Sequence, residues 1–275
     1  MRRVAVAIRL VVALMPMAAG AEEAGNPLVR EQRRVVVQGV PETWQLVWAH
    51  APATACGPAD VTTAITCPCS GFAYGQYGKL ALVRKRGDTE VERMDLGPLF
   101  DLSEDLPEPD RIEATPGSAI LARWPVAEDD AERAINDDPR LTGEIMQRRA
   151  PAIMRLADYD RDGQPTKFLI QVGTLPCGHH QFVAVGVSAR DGQLHALSST
   201  AKPDAPLVMP MNAWQALLLG PGAHTVPTWA CGDHGSEART ELVVSADRGM
   251  IAARRRDYSC PADGQPGKLL QQTDE

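Results

Sequence analysis

The sequence is poor in aromatic residues: Phe, Trp and Tyr make up 5% of its 275 residues. It also lacks a basic excess, with 28 Lys and Arg against 35 Asp and Glu and a formal net charge of −7. An acidic chain without a basic stripe is not a general nucleic-acid binder. No GxxxxGK[ST] loop, no GxGxxG after a strand and no HExxH is present. The usual signatures of nucleotide binding and of zinc proteolysis are therefore missing. Neither Ser70 nor the Ser198-Ser199 pair sits in a G-x-S-x-G context, so nothing points to a nucleophile elbow. Past the N-terminus no apolar run approaches the ~20 residues that a membrane-spanning helix needs. No internal repeat of roughly 20–50 residues occurs, which argues against a solenoid or a regular propeller.

What is present is a globular composition, with 44% hydrophobic and 23% charged residues. Gly 23 and Pro 22 promise many turns. The first residues read as a targeting segment. Arg2 and Arg3 supply a positive start, and an apolar stretch follows, interrupted by Arg9 and Pro16. Ala19-Gly20-Ala21 fits the small-x-small rule, which predicts residues 1–21 as a signal peptide cleaved before Glu22. The uncharged part of that stretch, Leu10 to Ala21, is too short to span a bilayer. Residues 22–275 then form an exported globular region, periplasmic or extracellular, with no membrane span.

All six cysteines, Cys56, Cys67, Cys69, Cys177, Cys231 and Cys260, lie beyond the expected cut. An even number in an exported chain reads as disulfides. The runs Thr240 to Ser245 and Met250 to Arg256 form a hairpin around Ala246-Asp247-Arg248-Gly249. Cys231 precedes that hairpin and Cys260 follows it, so the two meet across its open end. Cys56 then bridges Cys67 or Cys69, and Cys177 the remaining one; the competing pair is Cys177–Cys231.

Alternating and β-branched runs predict strands over Arg34–Gln38, Thr43–Trp48, Lys79–Arg86, Thr89–Leu96, Ala119–Trp124, Ala152–Leu156, Lys167–Thr174, Phe182–Ser188 and Gln193–Leu197. Short helices are expected at Glu128–Ile135, from Asp138-Pro139 to Pro151, and at Met211–Leu219 before Gly220-Pro221. The fold class is α+β and β-rich, built from antiparallel hairpins with about three short helices. The acidic, proline-bearing stretch 101–118 is a candidate boundary between two subdomains.

The most specific motif is Asp158-Tyr159-Asp160-Arg161-Asp162-Gly163. Carboxylates at alternate positions converge when the chain curls around a cation, and the glycine permits the sharp turn. Calcium takes six to eight hard oxygen ligands at ~2.3–2.6 Å. The segment resembles the calcium loops of EF-hand and dockerin proteins and, given strands on both flanks, the loops of FG-GAP/VCBS repeats. That resemblance covers Asp158 to Thr166. It implies a structural calcium ion held by Asp158, Asp160, Asp162, the carbonyl of Gln164, and Thr166 through its hydroxyl or a water. Leu169 stands where an EF-hand has its bidentate glutamate, and Thr166 where FG-GAP-like loops carry aspartate, so the implied affinity is weak.

A second constellation is the repeated C-G-x-H of Cys177-Gly178-His179-His180 and Cys231-Gly232-Asp233-His234. Cys177, His180, Cys231 and His234 give one reading, a tetrahedral zinc site, with Asp233 orienting a histidine. That would make the chain a metal-dependent hydrolase also using His179. The other reading is strand ends tied by disulfides with histidines beside them. The functional expectation is an exported, calcium-binding, disulfide-reinforced β-rich protein with a non-catalytic binding or structural role, and no partner is legible.

Overall fold

The computed structural model describes residues 28–55, 75–101, 117–122, 129–136, 138–175, 179–190, 192–261 and 267–275. The expected targeting segment 1–21 with its expected cleavage point, nearly all of the candidate boundary stretch 101–118, and Cys56, Cys67, Cys69 and Cys177 lie outside the described residues.

β1 (Leu28–Val37) and β2 (Val40–Trp48) form a hairpin. Its turn, Gln38-Gly39, adopts positive φ at both positions, the geometry that matches strand twist. β5 (Leu80–Arg86) pairs with β2, and β6 (Thr89–Asp95) with β5, giving a sheet ordered β1-β2-β5-β6. The short strands β3 (Ala53–Ala55), β4 (Gly75–Gly78) and β7 (Ala119–Leu121) form a small second sheet. A third holds β8 (Lys167–Leu175), β9 (His179–Val187), β10 (Leu194–Ala196) and β11 (Met209–Pro210), all paired to β9. The fourth runs β12 (His224–Trp229), β13 (Ala238–Asp247), β14 (Met250–Ser259) and β15 (Leu269–Asp274). The helices are short: α1 (Gly97–Phe100), α2 (Asp130–Ile135), α3 (Leu141–Gln147) and α4 (Met211–Ala216). None among the described residues is long and apolar enough to cross a membrane.

β9 explains the layering. Its run Phe182-Val183-Ala184-Val185 is apolar at consecutive positions, the pattern of a strand buried on both faces. Val183, Val185 and Val187 pack in one core with Trp44, Leu46, Trp48, Leu80 and Leu82 of the first sheet. Phe182 and Ala184 pack in a second core with Trp214 of α4 and Leu242, Val244 and Ile251 of the fourth sheet. The third sheet is thus the middle layer. Trp214 is fully buried, and its indole N–H donates to the Phe182 carbonyl at 3.0 Å.

The period of two also buries charge. In Glu42-x-Trp44-x-Leu46 the glutamate shares the inward face with two core residues. Glu42 accepts a bidentate pair from Arg84 (2.8 and 2.9 Å), the Arg86 Nε–H (3.0 Å) and the Trp44 indole (3.1 Å). Arg84 also pairs with Glu92 and donates to the Gly192 carbonyl at 2.7 Å. Burial pushes the Glu42 carboxyl up, but the arginines and the indole outweigh it and hold it below the ordinary range.

Several sequence expectations need correction. Ala152–Leu156 is no strand: the amides of Ile153 and Met154 donate to the Glu31 carboxylate at 2.6 and 3.3 Å. Its apolar pattern reflects the burial of Met154, not strand pairing. The Ala119 strand ends at Leu121. β12 and β15 were not anticipated, since Pro227 interrupts the first and Gln271-Gln272-Thr273 makes the second polar and exposed.

Candidate functional site

The acidic loop lies between Ala157 and β8, closed at its base by an isolated bridge between Ala157 and Lys167. Gly163 takes φ +90 and Arg161 φ +55, so the turn uses the left-handed region twice. The carboxylates organise the loop through its own amides. Asp158 accepts from the N–H groups of Asp162 and Gly163, both at 3.0 Å. Asp162 accepts from Gln164 N–H at 2.8 Å and from Ala189 N–H at 2.6 Å. Asp158, Asp160 and Asp162 each offer an oxygen within 4.8 Å of the others, a group that could hold a metal ion.

A cation already stands at that point. The Lys167 ammonium lies 2.7 Å from Asp160 Oδ1, 2.5 Å from Asp162 Oδ2, 3.9 Å from Asp158 Oδ1 and 3.2 Å from the Gln164 carbonyl. Its side chain is 0% exposed. Gly186, opposite Lys167 on β9, makes the approach possible: a Cβ there would meet the Thr166 carbonyl at 2.1 Å and Lys167 Cα at 2.7 Å. Burial pushes the Asp162 carboxyl up, but Lys167 and the Ala189 and Gln164 amides hold it below the ordinary range. For Asp160 burial prevails over the pull of Lys167, and its carboxyl stays above that range. The ammonium touches Asp160 as a contact ion pair, since neither carboxylate oxygen has a directed hydrogen bond. The Thr166 hydroxyl donates to the Val187 carbonyl at 2.6 Å, which ties it to β9.

The loop also joins three sheets. Gly249 N–H, in the β13–β14 turn, donates to the Asp160 carbonyl at 2.8 Å. Gln38 N–H, in the β1–β2 turn, donates to the Gln164 side-chain carbonyl at 3.3 Å. Ala189, bonded to Asp162, follows β9 of the middle sheet.

The histidines lie elsewhere. His179 Nε2 is 3.0 Å from Asp233 Oδ2, and the His179 ring stacks on Trp229 at 4.3 Å between centroids. His179 and Trp229 line a cleft of about 740 Å³ between the ends of β8 and β9 and the fourth sheet. His180, the next residue along the strand, turns to the other face, with Nδ1 3.2 Å from Gln171 Nε2 and 3.3 Å from Thr174 Oγ1. Burial, then the neighbouring His179, keeps its pKa low. Cys231 is joined to Cys260 in a disulfide with Cα atoms 5.6 Å apart, across the open end of the β13–β14 hairpin. Its sulfur is therefore not a thiolate available to zinc. Of the other residues of that zinc reading, Cys177 and the side chain of His234 lie outside what is described.

The sequence reading did not anticipate Lys167 as the loop's cation. A signal exists, because a single lysine opens a strand whose next residues, Phe168-Leu169-Ile170, are apolar, five positions after the last of three aspartates. The Glu42–Arg84 pair was not anticipated either: alternation puts Glu42 on the inward face, but its partner is set by the pairing of β2 with β5. No family model, no curated protein and no solved structure matches the chain.

Proposed function

We propose that this chain is an exported, disulfide-reinforced β protein with a non-catalytic binding or structural role, and that its acidic loop is a structural cation seat. The observation that carries this reading is the Lys167 ammonium, fully buried among Asp160, Asp162 and the Gln164 carbonyl. An isolated ammonium pays a large desolvation penalty, so it is stable there only because carboxylates surround it. The seat pins a loop that touches turns of three sheets, which suits a stabilising role better than a reactive one. The Cys231–Cys260 bridge supports export, because such bonds persist in oxidising compartments.

Calcium is the second reading of the same seat, and one observation favours it. Three carboxylates converge on a single ammonium, and both Asp160 oxygens lack a directed hydrogen bond. An extracellular loop with a dissociation constant of ~10⁻⁴–10⁻³ M would fill in millimolar calcium, displacing the lysine. Metal analysis and thermal melting of the purified protein separate the two. With lysine as the resident cation, the protein carries no stoichiometric calcium and melts at the same temperature in chelator and in millimolar calcium. A rise of several degrees in calcium would establish the ion instead. N-terminal sequencing of the same sample should begin at Glu22, and a start at Met1 would refute export.

A further inference from the structure

Arginines gather in one concave place on this acidic chain. Arg30 and Arg33 from β1, with Arg149 and Arg155 from the segment that crosses it, line a groove of about 630 Å³. The acid among its lining residues is Glu31. That carboxylate is already engaged: it pairs with Arg33 at 2.9 Å and accepts the amides of Ile153 and Met154. Arg30 is fixed by donating to the carbonyls of Pro151 (3.1 Å) and Ala122 (3.3 Å). Arg149 and Arg155 are exposed and form no ion pair with any described residue. Arg149 and Arg155, without an ion pair among the described residues, thus line one groove of a chain whose overall formal charge is −7.

We infer that this groove binds an oxyanion bearing several phosphate-type groups. Guanidinium forks match tetrahedral oxyanions bidentately, and all four cations here are arginine rather than lysine. Arg149 and Arg155 can each take one group bidentately, so two linked groups suit the groove better than one. The groove is independent of the acidic loop and of whatever cation fills it. The shared chemistry has two sources, a soluble polyphosphate chain or the headgroups of an anionic lipid surface.

The test uses the purified protein with inorganic tripolyphosphate in calorimetry, and vesicles of phosphatidylglycerol against phosphatidylcholine in sedimentation, both at about 50 mM salt so that screening is modest. Binding to tripolyphosphate assigns the soluble source; binding to phosphatidylglycerol vesicles alone assigns the lipid. In either case the Arg149→Gln/Arg155→Gln variant should bind about tenfold more weakly for each guanidinium removed. It should also melt like the wild type, since both side chains are exposed. Arg254→Gln, which removes an arginine paired with Asp274 on the fourth sheet, should leave binding unchanged. The inference is overturned if the protein binds neither probe, or if the double variant binds as tightly as the wild type.

Discussion

Replacing Lys167 with methionine probes the seat directly. Methionine keeps the apolar stem but stops one atom short of the ammonium, so the packing survives and the cation is lost. Asp160 and Asp162, whose side chains are 1% and 5% exposed, would then face each other without a counter-charge. Removing one partner of a buried ion pair destabilises by about 3–5 kcal/mol. That is a large part of the ~5–15 kcal/mol that separates a typical folded domain from its unfolded chain. At about 2–4 °C per kcal/mol for a domain of this size, melting should fall by roughly 6–20 °C in chelator. The emptied seat becomes a three-carboxylate loop, so the variant should acquire a calcium response that lysine suppresses in the wild type. Free calcium a hundredfold above the dissociation constant, about 10 mM for a ~10⁻⁴ M site, restores about 2.7 kcal/mol, half or more of the loss. Asp160→Asn in the Lys167→Met background should recover part of the stability, because it removes the buried charge left behind. Circular dichroism melts in chelator and in millimolar calcium read all three effects. If Lys167→Met melts within a degree of wild type in chelator, the ammonium does not hold the loop and the structural role proposed for it fails.

Two further outcomes follow from the same physics. Glu42→Gln leaves Arg84 with Glu92 as its one remaining carboxylate partner and should cost about 3 kcal/mol near neutral pH, the lower end for breaking a buried pair. Because the folded Glu42 carboxyl lies below its ordinary 4.5, its contribution is complete above that pH and fades as acid protonates the folded state, so wild type and variant should converge in denaturant titrations at low pH. Converting Cys231 and Cys260 together to serine opens a loop of sequence separation 29 and should cost about 3–4 kcal/mol on the chain-entropy account; a change in denaturant midpoint indistinguishable from zero would refute a structural bridge.

The sequence by itself determined the strand-rich character and most of the hairpins, because alternation and turn chemistry are local. The Gly87-Asp88 turn between β5 and β6 and the Ala246 to Gly249 turn between β13 and β14 appear where short-range rules put them. The Cys231–Cys260 bridge was legible for the same reason, since antiparallel pairing fixes which residues face each other at a hairpin's open end. The Asp158-x-Asp160-x-Asp162-Gly163 pattern likewise announced a cation-binding curl. Tertiary structure decided what the sequence could not: which faces are buried, and so which charges must pair. The consecutive apolar residues of β9 suit burial on both faces, but only the packed sheets show what covers each face. Ala152–Leu156 looks like a strand until the Glu31 carboxylate, distant in sequence, takes its amides. Lys167 becomes the loop's own cation only in the folded chain, where β8 lies tight against Gly186 and the buried ammonium meets the Asp160 and Asp162 carboxylates. The cost of burying a charge depends on what surrounds it in three dimensions, and no local pattern contains that information.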